Sequence, residues 1–522
     1  MKNIKARTPK KNKVCLPEVI NTPSRYRNPI GKYVVKRNSN CISCGKCAQL
    51  CPHGVHLRYD NYSQPVRPLD YKCIGPQCAA HDYYCVKNCP VNALSVSLNP
   101  IHETIGDYRW TFEMIVSTWH MAETGNLPYM NLEYSLGYSG GGFDKIRFKT
   151  PDPKDYLDIP DDEIDTSICL NRRKDGRPER TISIPCYGGG MSFGSTSLTV
   201  LIGRARAWKK LNSFTCTGEG GYPDAFLPYK DHVITQVATG FFGVREETIL
   251  NSPLVELKYA QGAKPGLGGH LLGDKVTPEV AKMRETVMGT SLFSPCPFHS
   301  VYSIEDHKKQ LDWVKEINPR ALVSVKVSTP NDVDMVAVGS YYAGANIIHC
   351  DGSYGGTGAA PDIAKKNIAM PIEYAIPKVH RFLVNEGIRD QMCFMASGGV
   401  RNAMDVAKAI AMGADGCVIG TADLVALECL RCANCESGRG CARGLASTDK
   451  ELGYIVDEEW AERRLVNMYS AWRKQWCEIL RSYGMRSIKE LVGRSDLLVH
   501  MDYLDEDERK KYQPTPVKKL VI

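Results

Sequence analysis

The chain has 522 residues, enough for two or three domains with substantial cores, and a net charge of +8 that is small for that length. No apolar run approaches the length of a membrane-spanning helix, and the N-terminus lacks the apolar core of a signal peptide, so a cytoplasmic protein without a membrane span is expected. Its 21 cysteines exclude an ordinary cytosolic composition unless most of them hold metal.

Residues 1–35 read as a basic extended arm, with Lys2, Lys5, Arg7, Lys10, Lys11 and Lys13 among prolines and asparagines and no apolar period. Lys518 and Lys519 repeat the bias at the other end. Because no aromatic residues interleave with the first basic run, a solvated or partner-docking extension is expected rather than a nucleic-acid arm.

Residues 36–100 carry Cys41-x2-Cys44-x2-Cys47-x3-Cys51-Pro52, followed by the looser Cys73-x4-Cys78-x6-Cys85-x3-Cys89-Pro90. In such runs the first three thiolates wrap one cubane, and the fourth, before proline, ligates the other. Cys41, Cys44, Cys47 and Cys89 are therefore assigned to one [4Fe-4S] cluster, and Cys73, Cys78, Cys85 and Cys51 to a second. The segment reads as an α+β ferredoxin-like iron–sulfur domain with an expanded second half. A zinc ribbon can use paired C-x2-C but does not readily account for the repeated three-residue gap before Cys-Pro.

Residues 101–180 show aromatic residues, a glycine-rich turn at 139–142 and an acidic patch (Asp158, Asp161, Asp162, Glu163 and Asp165), with nothing that signals chemistry. They read as a connector. From residue 181 the pattern becomes short apolar runs with glycine-rich ends, separated by helical stretches. Eight runs, at 182–187, 213–217, 233–238, 254–259, 321–327, 346–350, 391–396 and 416–420, fit an α/β fold of the (β/α)8 TIM-barrel type over residues 181–449. A doubly wound sheet is the alternative, but no G-x-G-x-x-G follows the first strand.

Polar residues gather at the C-terminal ends of these runs, where barrel active sites lie. Among them are Glu219, Gln236, Lys258, Gln261, Lys264, Lys326, Asp351 and Gly352. Lys326 stands between valines inside a strand and calls for an anionic partner. The last two strand ends break at Ser397-Gly398-Gly399 and Gly420-Thr421, which suits a phosphate cradle of backbone N–H groups. Directly behind lie Cys429, Cys432, Cys435 and Cys441, read as a third iron–sulfur site with a structural zinc site as the alternative. Nine further cysteines (Cys15, Cys169, Cys186, Cys216, Cys296, Cys350, Cys393, Cys417 and Cys477) read as small buried hydrophobes. Residues 450–522 read as a helical C-terminal tail anchored by Trp460, Trp472 and Trp476.

Several ordered motifs give residues 188–449 a resemblance to the FMN-binding domain of glutamate synthase: Met191-Ser-Phe-Gly194, Thr217-Gly-Glu-Gly-Gly221, Gln236-Val-Ala-Thr-Gly-Phe-Phe-Gly243, Gln261-Gly-Ala-Lys-Pro-Gly266, Tyr302-Ser-Ile-Glu-Asp306, Val323-Ser-Val-Lys326 and Asp351 through Gly358. The fused ferredoxin unit resembles the short archaeal-type arrangement of that family. The resemblance implies that Gly398, Gly399, Gly420 and Thr421 bind FMN phosphate, and that Ser192, Gln236 and Lys326, with Asp351 and Gly352, surround the isoalloxazine. It further implies that Glu219, Gln261, Lys264, Arg284 and Lys326 act on 2-oxoglutarate and ammonia, reduced FMN passing hydride to 2-iminoglutarate to make L-glutamate.

The departures from the family pattern matter as well. The family's last cluster is a [3Fe-4S] on three cysteines, matched by Cys429, Cys435 and Cys441; Cys432 is an addition that would allow a [4Fe-4S] instead. No glutaminase segment precedes the ferredoxin unit and no dinucleotide fingerprint is present. Ammonia is therefore expected from a separate glutaminase or from solution, and electrons from ferredoxin or an NAD(P)H-oxidising partner subunit in a hetero-oligomer. An N-methylglutamate synthase component and a non-catalytic flavin and iron–sulfur electron relay are the competing functions.

Overall fold

The computed structural model describes residues 16–25, 31–58, 66–128, 142–358, 360–436 and 439–512. The basic residues 2–13, Cys15, Lys518, Lys519 and all but Gly142 of the glycine-rich turn lie outside the described residues.

Eight parallel strands form the centre: β1 (Cys186–Gly188), β2 (Thr215–Cys216), β3 (Val233–Ala238), β4 (Leu254–Lys258), β5 (Leu322–Ser328), β6 (Ile347–Asp351), β7 (Cys393–Ser397) and β8 (Gly416–Ile419). From β2 to β8 each pairs with its neighbour in sequence, and β8 pairs with β1. The remaining gap closes where Gly188 N donates to Phe214 O at 2.8 Å and Ser213 Oγ donates to Cys186 O at 2.7 Å. This is the (β/α)8 barrel, and its strands lie within a few residues of the expected runs. Burial explains their composition: β3, β4, β6, β7 and β8 are buried at every position, so each reads as a continuous apolar run rather than an alternating one.

The first run departs from expectation. Thr181–Ile182 pairs antiparallel with Ile168–Cys169 outside the barrel, and the barrel strand begins only at Cys186. Pro185 separates the two, having no N–H for a ladder; its carbonyl accepts from Cys417 N at 2.9 Å and starts the β1–β8 pairing.

The segments on either side wrap the barrel. Helix α1 (Phe112–Thr124) and the 25-residue helix α2 (Glu458–Ser482) pack together, and α2 also packs on the barrel helix Leu198–Lys210. Trp472 and Trp476 are fully buried. Trp460 is not; it lies under the guanidinium groups of Arg25 and Arg464. The acidic patch docks on basic residues of the C-terminal region, with Lys489 bridging Asp165 at 3.2 Å, Arg486 bridging Glu163 at 3.5 Å and Arg481 bridging Asp161. Leu498–His500 then pairs antiparallel with Ile146–Phe148.

The N-terminal unit is a small α+β body. Tyr33–Arg37 pairs antiparallel with Leu94–Leu98, and the helix Lys46–Leu50 lies between them in sequence. Among its described residues the buried apolar cluster is Val35, Val55 and Leu94, against which Cys47, Cys51, Cys73, Cys85 and Cys89 pack. Of the scattered cysteines, Cys186, Cys216, Cys350, Cys393, Cys417 and Cys477 are buried as expected, whereas Cys169 and Cys296 are only half-buried. Cys169 sits on the two-strand pair outside the barrel, and Cys296 follows the short strand Leu292–Ser294, so neither belongs to the barrel core. No helix among the described residues is long and apolar enough to cross a membrane.

Candidate active site and cysteine sites

Below the mouth of the barrel, inward residues of neighbouring strands form one hydrogen-bonded row. Gln236 Nε2 on β3 donates to Glu256 Oε1 on β4 at 2.7 Å, and His349 Nδ1 on β6 lies 3.0 Å from Glu256 Oε2. His349 Nε2 lies 2.7 Å from Ser397 Oγ on β7, which donates to Asp351 Oδ1 at 2.6 Å. Gly262 N donates to Asp351 Oδ2 at 2.8 Å. Lys326 Nζ stands 3.8 Å from Asp351 Oδ2. Burial opposes charge on both partners. The lysine is nevertheless held above its ordinary pKa by Asp351 and Glu256, and the carboxylate below its own by Lys326 and His349. Burial likewise works against Glu256, yet His349 and Lys326 outweigh it and bring its pKa down to about 2. The anionic partner that Lys326 called for is thus supplied first by the chain itself.

Above this row opens a cleft of about 1560 Å³, its open mouth included. Ser192, Glu219, Gln236, Gln261, Lys264, Arg284, Lys326, Asp351, Gly398, Gly399, Gly420 and Thr421 all line it. Gly352 is the exception. It lies behind the wall, where a Cβ would meet Ile372 at 2.6 Å, and donates its N–H to Ser397 O at 2.9 Å.

One side of the cleft is a group of cations around Glu219. Lys258 Nζ donates to Glu219 Oε2 at 3.0 Å and to Gln261 Oε1 at 2.7 Å. Glu219 packs so closely on Gly269 that a Cβ there would fall 1.1 Å from Oε1. Lys264 is 1 % exposed, and its Nζ lies 2.6 Å from His270 Nδ1. Burial pushes the Lys264 pKa down to about 8, with Lys258 adding to the effect and Glu219 opposing it. His270 is also lowered, by burial and then by Lys264. Arg284, last residue of the helix Pro278–Arg284, donates from Nη2 to Ser192 Oγ at 2.8 Å and to Phe193 O at 3.0 Å. It makes no ion pair among the described residues, its Nε is buried without a partner, and burial lowers its pKa to about 10. A buried guanidinium so placed gains from any anion that enters.

The opposite side is the glycine cradle. Gly398 and Gly399 have φ of 93° and 98°, a backbone that side-chain-bearing residues rarely adopt. A Cβ on Gly398 would meet Gly352 O at 2.4 Å, whereas one on Gly420 would meet nothing within 4 Å and would point into space. The helix after β7 begins only at Ala403, under its own Asn402 cap, and the helix after β8 is six residues long. The cradle therefore relies on turn N–H groups and the Thr421 hydroxyl more than on helix dipoles. Turn N–H groups and a hydroxyl gathered in this way suit an anion.

The cysteines divide as their spacing suggests. One cavity is lined by Cys41, Cys44, Cys47 and Cys89, another by Cys51, Cys73, Cys78 and Cys85. Within the second group burial pushes the thiols up, Cys73 to about 11 and Cys85 to about 12, and the neighbouring thiols add to the rise. A bound cation would favour the thiolates of Cys73 and Cys85 against this cost. Cys429 and Cys435 line the large cleft itself, so the third group abuts it. Lys275 Nζ holds that loop through Cys435 O at 2.6 Å and Glu436 at 3.1 Å.

Four contributions escape a reading of the chain alone. Trp110 lines the cleft from the connector, and Arg109 Nη2 donates to Gly399 O at 3.0 Å while lying over Tyr354. Asp107 bridges Arg431 at 2.8 Å, and Arg431 Nη1 reaches Gly356 O at 3.2 Å. Glu256 and His349 were hidden inside apolar strands. His270 lay in view, six residues after Lys264 within one glycine-rich motif.

A family model described as a conserved region in glutamate synthase matches residues 147–486. An archaeal-type glutamate synthase [NADPH] of Dehalococcoides mccartyi is 36% identical over 478 residues, covering 88% of this chain and 94% of its own. The archaeal glutamate synthase [NADPH] of Methanocaldococcus jannaschii is 35% identical, covering 90% and 94%. The glutamate synthase [NADPH] large chain of Azospirillum brasilense is 36% identical over 67% of this chain but only 23% of its own. With relatives aligned along nearly the whole chain and the family's conserved region spanning the barrel that carries this cleft, the chain belongs to the glutamate synthase family and is an oxidoreductase.

Proposed function

We propose that the chain is an iron–sulfur flavoprotein that binds FMN in the barrel mouth and makes L-glutamate from 2-oxoglutarate and ammonia by way of 2-iminoglutarate. The observation that carries this reading is the pair Lys264 and Arg284, two buried cations facing the same cleft as the glycine cradle. A non-catalytic relay has no use for a grip on a dicarboxylate.

In this reading Gly398, Gly399, Gly420 and Thr421 take the FMN phosphate, and Ser192, Gln236 and Lys326 face the ring system. Gly352 supports the cradle from behind, and Asp351 sets the charge of Lys326. Reduced FMN, when bound, supplies hydride to the imine carbon. Lys264, Arg284 and Gln261 hold the substrate carboxylates and draw electron density from the acceptor carbon. Glu219, fixed by Lys258, orients the amine nitrogen.

The two cysteine quartets of the N-terminal unit fit [4Fe-4S] clusters, and the scant apolar core of that unit supports metal-assisted folding. The third group, against the cleft, is placed to pass electrons onward from a ferredoxin or an NAD(P)H-oxidising partner. The test is direct. With FMN bound and reduced anaerobically, 2-oxoglutarate plus ammonium should reoxidise the flavin and yield L-glutamate. A fully loaded protein that leaves its flavin reduced would overturn the synthase reading.

A further inference from the structure

Two segments almost four hundred residues apart share both spacing and backbone. Cys41-x2-Cys44-x2-Cys47 belongs to the N-terminal unit, and Cys429-x2-Cys432-x2-Cys435 follows the last barrel strand. In each, the residue before the middle cysteine is left-handed, with φ of 56° at Ser43 and 58° at Arg431. The residue after it is left-handed as well, with φ of 76° at Gly45 and 61° at Ala433. Exposure repeats too: the middle cysteine is exposed in both runs, and the outer two are half-buried.

Such a backbone is uncommon without glycine, because a Cβ crowds the following carbonyl oxygen. Among the described residues it occurs at nine non-glycine positions, three of which (Glu428, Arg431 and Ala433) crowd into six residues here. Arg431 has local reasons, since its side chain is held by Asp107 and Gly356 O and its N–H lies 3.5 Å from Cys429 Sγ. Ala433 has none: it is exposed and carries only a methyl. In the first run the same paired twist wraps three thiols around one cavity, and Cys89 joins them from a distance. In the second run the distant thiol is Cys441, half-buried as Cys429 and Cys435 are.

We infer that the third cysteine group is a four-thiolate site for a [4Fe-4S] cluster, with Cys432 as a ligand and Cys441 as the distal one. This rests on the reading that the group holds an iron–sulfur cluster at all, and it settles which thiols do so.

The experiment uses the full chain, purified anaerobically and reconstituted with iron and sulfide under reducing conditions, then poised with a mild dye oxidant. Roughly twelve iron atoms per chain are expected, against about eleven with a three-iron site, and low-temperature EPR should lack the near-isotropic signal of an oxidised [3Fe-4S] cluster. Cys432→Ala should introduce that signal at about one spin per chain and lose about one iron, with flavin content unchanged. A three-iron signal of full intensity in the unaltered chain, or one that Cys432→Ala leaves untouched, would overturn the inference alone. Zinc in place of iron at this group would overturn both it and the reading beneath it. Because the unaltered chain decides the matter by itself, poor folding of the variant does not blunt the test.

Discussion

Lys264 sits where a small change of charge has a large effect. It is buried, faces the imidazole of His270, and has a pKa lowered to about 8. Its ammonium is therefore intact at neutral pH and is lost as pH rises through about 8, so affinity for 2-oxoglutarate should be level below that point and fall above it. A titration of the reduced protein with 2-oxoglutarate across this range checks the slope, and Lys264→Arg, which stays charged, should flatten it. A charge-assisted hydrogen bond is worth about 1.5–3 kcal/mol. Lys264→Ala should accordingly weaken binding by about ten- to hundredfold, leaving FMN content intact. Arg284→Ala should do the same and also release Ser192, so some loss of flavin is expected there. Glu219→Gln should lower turnover more than binding. If Lys264→Ala bound 2-oxoglutarate as well as the parent, the dicarboxylate grip would have to be sought elsewhere in the cleft.

At the scale of elements, the two glycine turns make opposite forecasts. Gly398→Ala forces a methyl against Gly352 O in a left-handed turn, so the β7 end must move. Flavin should be lost and the thermal transition lowered. Gly420→Ala adds a methyl in empty space without a positive φ, so the apo-protein should melt unchanged while FMN uptake falls. Equal melting for both variants would show that the Gly398 turn is not under the constraint argued here.

The barrel strands were readable because parallel, doubly covered strands are apolar throughout and end in glycine or small polar residues. The same property hid Glu256 and His349, which look like interruptions of an apolar run until neighbouring strands bring them together. The sharing of two cavities by the first eight cysteines followed from the repeated three-residue gap before Cys-Pro, which sends the last cysteine of each run to the other run's cavity. Trp110 and Arg109 were not, because nothing in a connector's sequence records that it folds back over a barrel mouth. Pro185 shows the same limit on a smaller scale: the apolar run was evident, but not its division between two sheets.

For the whole molecule, contacts join the start of the connector, a few residues after the N-terminal unit, to the wall of the cleft. Gly106 N donates to Leu430 O at 3.0 Å, Asp107 bridges Arg431, and Cys429 lines the cleft. Cys44→Ala should leave FMN bound but slow its reduction by external ferredoxin. Stopped-flow measurement of flavin bleaching gives the answer, and an unchanged rate would rule out this entry route.

Residues 16–25 run along the outside of the barrel and end in a lock. Ile20 exchanges hydrogen bonds with the Asn467 side chain, Arg464 donates to Thr22 O at 3.0 Å, and Arg25 pairs with Glu428 at 3.2 Å, next to Cys429. The first of these residues to leave the ribosome must wait for partners made more than four hundred positions later. Contacts so distant in sequence form late, because they carry the full entropy of closing the intervening loop. Thr22 N can meet Glu123 O, 2.8 Å away, as soon as α1 is made, but the two hydrogen bonds between Ile20 and Asn467 complete the segment's attachment only after α2 has followed.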